Sequence, residues 1–355
     1  MSVAPSAPVC TDALVIGAGP VGLYMAFELA LLEIKAVVVD ALPYPGGQPE
    51  TLYPDKPIYD LPGLPCISGR ELTAALMQQV KPLNLAMHLG QEVQQLTPHD
   101  GAWMVTTRTQ SFLARTVFIA AGVGAFAPRH FKVSDANAVR DIGIFDGTQL
   151  FYHLHQAPSL QGKQVLVAGG EDEAVAAALH AVSQGAKKVW LLHRRDVFKA
   201  EPGLLAQLQA QREAGAIEVV AGQPLHFHGD AQLHSLDILT PEGQQRQLAL
   251  DVVLPMLGLS PKLGPIADWN LAMQRKQLQV NTETFATNAP GIYAVGDINT
   301  YPGKKKLLVS GFHECVLAAF GAAAYLRPDT PTLLQYTTTS SKLHQILGVA
   351  HPIKS

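Results

Sequence analysis

Twice in this chain a short apolar run breaks on a cluster of glycines, resumes as an apolar helix and closes on a second apolar run. That recurrence restricts the fold more than any other feature. The first copy starts at Leu14–Ile16, turns through Gly17-Ala18-Gly19-Pro20-Val21-Gly22, continues as a helical stretch from Leu23 to Leu32, and ends in Ala36–Val39 followed by Asp40. A strand, a glycine turn, a helix and a second strand in series predict a βαβ unit whose turn cradles phosphate. The glycines differ in what they do. Gly17 makes the sharp turn, Gly19 lets the backbone approach a pyrophosphate, and Gly22 lets the helix pack on the sheet. The helix N-terminus adds unpaired N–H groups and a partial positive charge. Asp40, 18 residues past Gly22, is spaced to accept hydrogen bonds from a ribose.

The second copy runs from a strand at Lys163–Ala168 through Gly169-Gly170-Glu171-Asp172-Glu173-Ala174 to an apolar helix at Val175–Val182 and a strand at Lys188–Leu192. It closes not on an acid but on His193-Arg194-Arg195, with Lys199 four residues later. Cations at that point suit the 2′-phosphate of NADPH, which a carboxylate would repel. The turn departs from GxGxxA at Glu171, where glycine is expected. Two unit charges at about 5 Å and an effective dielectric of about 20 repel by roughly 3 kcal/mol, so Glu171 either points away or alters NADPH binding. Two dinucleotide sites of different preference predict a flavoprotein, with FAD in the first and NADPH in the second.

The remaining composition narrows the setting. At 355 residues the chain has length for about two domains. Its net charge of −3 argues against a general nucleic-acid binder. Ala13–Leu32 is long and apolar enough to suggest a membrane span, but Gly17, Gly19, Pro20 and Gly22 interrupt it, and no Lys or Arg precedes it as in a signal peptide. Cys10, Cys66 and Cys315 form neither a CxxC pair nor a metal-ligand spacing, which fits a reducing, cytoplasmic setting and no metal site. His153-Leu154-His155 and His226-Phe227-His228 lack a matching acid or cysteine and read as strand or surface histidines.

Further motifs give the chain a resemblance. Gly46-Gly47-Gln48, Thr51-Leu52-Tyr53-Pro54, Ile58-Tyr59-Asp60, Gly124-Ala125-Phe126-Ala127-Pro128-Arg129, His193 to Ala200, Pro290 to Lys304, Val309-Ser310-Gly311-Phe312-His313-Glu314 and Tyr336-Thr337-Thr338-Thr339-Ser340 occur in this order. From about Asp12 to Val349 the sequence resembles the bacterial ferredoxin–NADP reductases of the thioredoxin-reductase-like type. The resemblance implies an α/β fold of two Rossmann-like dinucleotide-binding domains, the pyridine nucleotide-disulfide oxidoreductase type. The redox disulfide of that type is missing, because no cysteine lies between Cys66 and Cys315.

By position, the resemblance implies that Asp40, Gly47, Gln48, Val93, Phe126, Thr338 and Asp297 contact FAD. It implies that Tyr53 stacks on one face of the isoalloxazine and Tyr336 on the other. It also implies hydride transfer from NADPH to flavin N5, release of single electrons to ferredoxin or flavodoxin, and a homodimer. Tyr336 would have to shift, or the domains reorient, before hydride transfer. The FAD domain is expected at 1–122 and 257–355, with the NADPH domain at 123–256 between. Pro328–Thr339 is expected as an extended connection. Lys304-Lys305-Lys306, Arg129 and Lys132 are candidates for a basic surface that meets an acidic carrier, and His313 and Glu314 for a structural role at the start of the last helix or, less readily, for a proton relay near the flavin. Another acceptor such as a quinone, or a non-catalytic flavoprotein if Glu171 closes the nucleotide site, are the competing readings.

Overall fold

The computed structural model describes residues 7–137 and 139–349; the side chains of Ala125, Phe126, Ala127, His155, Leu259 and Pro261 lie outside the described set. The chain divides into two compact units, one made of residues up to 125 and from 261 on, the other of 126–260. Seven α-helices occur among the described residues: α1 Pro20–Leu31, α2 Gly47–Leu52, α3 Gly69–Val80, α4 Asp172–Ser183, α5 Pro202–Glu213, α6 Leu308–Leu326 and α7 Ser341–Ile346.

In the discontinuous unit, five strands run parallel in the order Ala86–His88, Ala36–Val39, Val9–Ile16, Ser111–Ile119, Ile292–Ala294. An antiparallel pair, Gln95–His99 and Ala102–Thr106, extends the sheet from the start of Ser111–Ile119. The strand periodicity of two sorts side chains to opposite faces. Ala13, Val15, Val38 and Phe118 pack towards α1, α3 and α6, whereas Leu14, Ile16, Val37, Val39, Val117 and Ile119 form a second core beneath. Burial on both faces is what continuous apolar strands require of a parallel sheet.

The inserted unit repeats the plan. Strands Ile217–Ala221, Lys188–His193, Gln164–Ala168 and Val252–Pro255 lie parallel in that order. Val165, Val167 and Leu191 face α4, while Leu166, Ala168 and Leu192 face an antiparallel sheet that supplies Phe227, Leu236 and Leu248. In both units the strand before the glycine turn sits between the next parallel strand and a later one (Ala36–Val39 and Ser111–Ile119 in the first, Lys188–His193 and Val252–Pro255 in the second), so each turn opens where the strand order reverses. That is where ligands bind in open α/β sheets.

Three expectations meet the structure here. Ala13–Leu32 is not one span, because it is the end of a strand, the glycine turn and α1. Pro328–Thr339 contains no helix. His313 and Glu314 are not at the start of the last helix, because α7 follows α6. The helix α6 is long and apolar enough to cross a membrane, but Cys315, Ala318, Ala319, Ala322 and Ala323 are fully buried in the core of this unit.

Candidate functional site: two glycine turns and the groups around them

The first turn is built by close contacts that only glycine permits. Gly17 has φ +113°, and a Cβ there would lie 2.5 Å from the Ala120 carbonyl oxygen. A Cβ on Gly22 would lie 1.8 Å from the Gly17 carbonyl oxygen. Gly19 differs: its φ of −70° suits any residue, and a Cβ would make only an ordinary contact, 3.7 Å from the Gly47 Cα. Nothing in the protein demands glycine at 19, which leaves its missing side chain as room for a ligand. The N-terminus of α1 opens into that room without a side-chain cap.

Asp40 sits beside the turn. One carboxylate oxygen accepts from the Ala18 amide at 2.5 Å and the other from the Leu42 amide at 2.7 Å. Burial pushes the Asp40 carboxyl up, and the two amide donors oppose it. Gly47 opens α2 against Gly19, and the Gln48 side-chain amide lies over Gly122. Val93 is buried in the core, at 5% exposure. Tyr53 caps α2; burial, then the charges of Asp297 and Asp60, push its hydroxyl up. The approach of Gly19 to Gly47 and of Val21 to Gly296 brings the elements 9–40, 47–52 and 292–297 together. The Phe126 side chain lies outside the described residues.

Tyr336 and Thr338 are exposed, Tyr336 at 66%. The contacts holding their segment are at the far end of α1: Lys342 pairs with Glu33 at 2.6 Å, and Ala30 and Ile34 line a small cleft with Gln345 and Ile346.

One expectation is corrected. Lys304 is not a surface cation, because its side chain is 6% exposed and pairs with Glu314, which is fully buried. Only Lys305 and Lys306 of that run are exposed. Glu314 also accepts from the Gly296 amide at 2.7 Å, the Asn299 side chain at 2.8 Å and the Tyr301 hydroxyl at 2.9 Å. The structural role expected of Glu314 was readable as a lone acid in an apolar helix. That Lys304 is its partner was not, because Lys304 stands in an unbroken run of lysines.

The second turn is held differently. Gly169 has φ +152°, and a Cβ would lie 2.1 Å from the Met256 carbonyl oxygen. The loop after Lys188–His193 folds back on the turn: the His193 ring covers Gly170, and the Lys199 amide donates to the Gly170 carbonyl at 2.7 Å. Arg194, Arg195 and Lys199 are exposed around it. Glu171, at the N-cap of α4, has extended backbone (φ −114°, ψ −179°) and an exposed side chain. The departure from glycine is thus unstrained, and what it adds is charge. The Asp172 carboxylate accepts from the Glu201 amide at 2.7 Å and so braces the start of α5. The backbone and the cations fit a dinucleotide carrying an extra phosphate. Of the histidine pairs, His228 bonds Asp237 at 2.7 Å, and among the described residues no group of His, Cys, Asp and Glu is arranged to hold a metal ion.

A family model described as pyridine nucleotide-disulphide oxidoreductase matches residues 11–310. A ferredoxin–NADP reductase of Polaromonas naphthalenivorans (strain CJ2) is 50% identical over 352 residues, covering 98% of this chain and 94% of the relative. One from Albidiferax ferrireducens is also 50% identical, with 98% of both chains covered. Among solved structures, the bacillithiol disulfide reductase of Staphylococcus aureus aligns with a TM-score of 0.61 at 17% identity, covering 91% of this chain and 100% of that one. The thioredoxin reductase of T. acidophilum aligns at 0.57 and 20%, covering 89% and 98%. At such identities the two structures speak for the fold alone.

Proposed function

Because the chain belongs to the pyridine nucleotide-disulphide oxidoreductase family, and within it to the ferredoxin–NADP reductases, we propose that it moves electrons between NADPH and a one-electron carrier of the ferredoxin or flavodoxin kind. One observation carries the reading. The same βαβ plan ends once on Asp40 and once on Arg194, Arg195 and Lys199, and the unit holding the second copy contains no cysteine. An acid suits a free ribose and cations suit a 2′-phosphate. Without a CxxC pair, electrons leave the flavin for an external acceptor.

Bound FAD would supply the chemistry, taking a hydride from NADPH and giving up electrons singly. The residues of the chain bind and orient. The Gly17–Gly22 turn and the N-terminus of α1 would hold the FAD pyrophosphate, Asp40 the adenosine ribose, and Gln48, Gly47, Val93 and Asp297 the rest of the cofactor. Tyr53 would pack on one ring face. Gly169 and Gly170 would pass the NADPH pyrophosphate, with His193, Arg194, Arg195 and Lys199 at its adenosine end.

Tyr336, with Thr338 beside it, is assigned to the other ring face. Its segment is anchored at the end of α1 remote from the glycine turn, a helix about 18 Å long. The anchoring and the exposure of Tyr336 favour coverage of a partner's flavin in a homodimer over its own. Lys305, Lys306, Arg129 and Lys132 are the exposed cations offered to an acidic carrier.

An anaerobic titration with NADPH, and separately NADH, tests the proposal. Bleaching of the flavin band at low NADPH but not at low NADH, followed by reduction of added ferredoxin that slows with salt, is the expected outcome. A yellow protein that neither nucleotide bleaches would overturn it in favour of a non-catalytic flavoprotein. Bleaching without ferredoxin reduction would point to another acceptor such as a quinone.

A further inference from the structure

We infer that the buried Lys304–Glu314 pair is a positioning element of the flavin site, a charge-balanced clamp on the Gly296–Asp297 turn that sets the electrostatic environment of the flavin; this rests on the proposal that the discontinuous unit holds FAD.

The geometry is specific. Lys304 Nζ donates to the Gly296 carbonyl at 2.9 Å, and the Gly296 amide donates to Glu314 Oε2 at 2.7 Å. Both peptide groups flanking one α-carbon thus end on opposite members of one ion pair. Gly296 has φ +79°, and a Cβ there would meet Val21 at 3.2 Å. Val21 belongs to the glycine turn, so the Gly296–Asp297 turn is wedged between that cradle and the clamp. Asn299 and the Tyr301 hydroxyl fill further lone pairs of Glu314, and the Lys304 ammonium also lies 5.4 Å from the centre of the Tyr301 ring.

Stability alone does not account for such a pair. Buried ion pairs are on balance replaceable by apolar side chains of similar volume, because desolvation offsets the attraction. A pair fixed to the peptide that leads into Asp297 does something apolar side chains would not: it places a cation and an anion beside the site in fixed positions. Asp297 registers both. Burial raises its carboxyl, Lys304 and Lys306 pull it down, and Glu314 pushes it up. A flavin gains negative charge on reduction, so a nearby cation favours the reduced form and a nearby anion the oxidised form.

The test is a set of variants of the full-length, FAD-loaded protein, with the flavin midpoint potential measured by spectroelectrochemistry at pH 8. Glu314→Gln leaves the Lys304 cation unbalanced and is expected to raise the equilibrium constant for flavin reduction about tenfold; Lys304→Met leaves the Glu314 anion and is expected to lower it about as much. The double variant should return close to wild type. A purely structural role predicts shifts of one sign, or no shift, with weaker FAD binding by the apo-protein in both single variants, and that outcome overturns the inference. Tyr301→Phe removes a donor from Glu314 without changing charge and should leave the potential unmoved. A Tyr301→Phe shift as large as a charge variant's is a second overturning result, and one available even if the charge variants fail to fold. Wild-type protein that binds no FAD removes the underlying reading and the inference with it; FAD-bound variants with same-sign shifts remove the inference alone.

Discussion

The Asp40 carboxylate takes the Ala18 amide on one oxygen, at 2.5 Å, and thereby fastens the glycine turn to the end of the neighbouring strand. Its other oxygen holds the Leu42 amide. The residue assigned to the ribose thus also shapes the loop proposed to meet the pyrophosphate. Asp40→Ala strips both amides of their acceptor, at a cost of about 1–3 kcal/mol. The variant should unfold at lower urea and purify with less flavin per chain, and Asp40→Asn, which keeps one acceptor, should fall between. Full flavin content in Asp40→Ala would show that the loop needs no such brace.

The two outer members of the first turn and its middle member should part company on mutation. Gly22→Ala drives a methyl to 1.8 Å from the Gly17 carbonyl oxygen and is expected to abolish folded, soluble protein. Gly19→Ala meets nothing closer than 3.7 Å and has compatible backbone angles. It should fold with an unchanged circular dichroism spectrum yet emerge colourless, because its methyl occupies the space reserved for the ligand. A yellow Gly19→Ala protein would refute that use of the space.

Glu171 places a carboxylate at the mouth of the second turn. Removing it as Glu171→Gly should tighten NADPH and NADH binding alike, by about tenfold at low salt and less as salt rises. The fragment 2′-AMP has no pyrophosphate, so its affinity should not change. Equal gains for 2′-AMP would assign the effect to the loop rather than to charge.

Glu28 lies buried beside Tyr24 in α1, and burial raises its carboxyl despite the hydrogen bond from Tyr24. A carboxyl raised in the folded state favours the fold most when protonated. Its contribution is complete below the ordinary carboxylate value and is lost as pH rises through that value towards the folded one. Glu28→Gln has no proton to lose. Its melting temperature should match wild type near pH 4 and exceed it at pH 8, and a difference independent of pH would contradict the assignment.

What the sequence disclosed and what it withheld divide along physical lines. Gly17, Gly22 and Gly169 were legible because a backbone that must pass this close to a carbonyl oxygen tolerates no side chain, and the spacing of such positions is fixed by the βαβ geometry. The cation cluster at 193–199 was legible for a related reason, since the end of the second strand falls at a set distance from the turn. Lys304 was misread because a lysine in a run carries no mark of burial; only the tertiary position of Glu314, on a helix that begins after it, makes it an internal charge. The whereabouts of Tyr336 were equally closed to sequence reading, because the Pro- and Thr-rich segment before it has no periodicity to tie it to a face.

The parallel pairing of Ser111–Ile119 with Ile292–Ala294 joins Ile119 to Ala294, 175 positions later in the chain. On the ribosome that distance becomes time. At about 5–20 residues per second, the sheet that carries the first glycine turn waits roughly ten to thirty-five seconds for its last parallel strand, while the inserted unit has all of its own strands in hand. The inserted unit is therefore complete in the nascent protein before the discontinuous unit can close, and a flavin bound there as proposed would be captured late in synthesis.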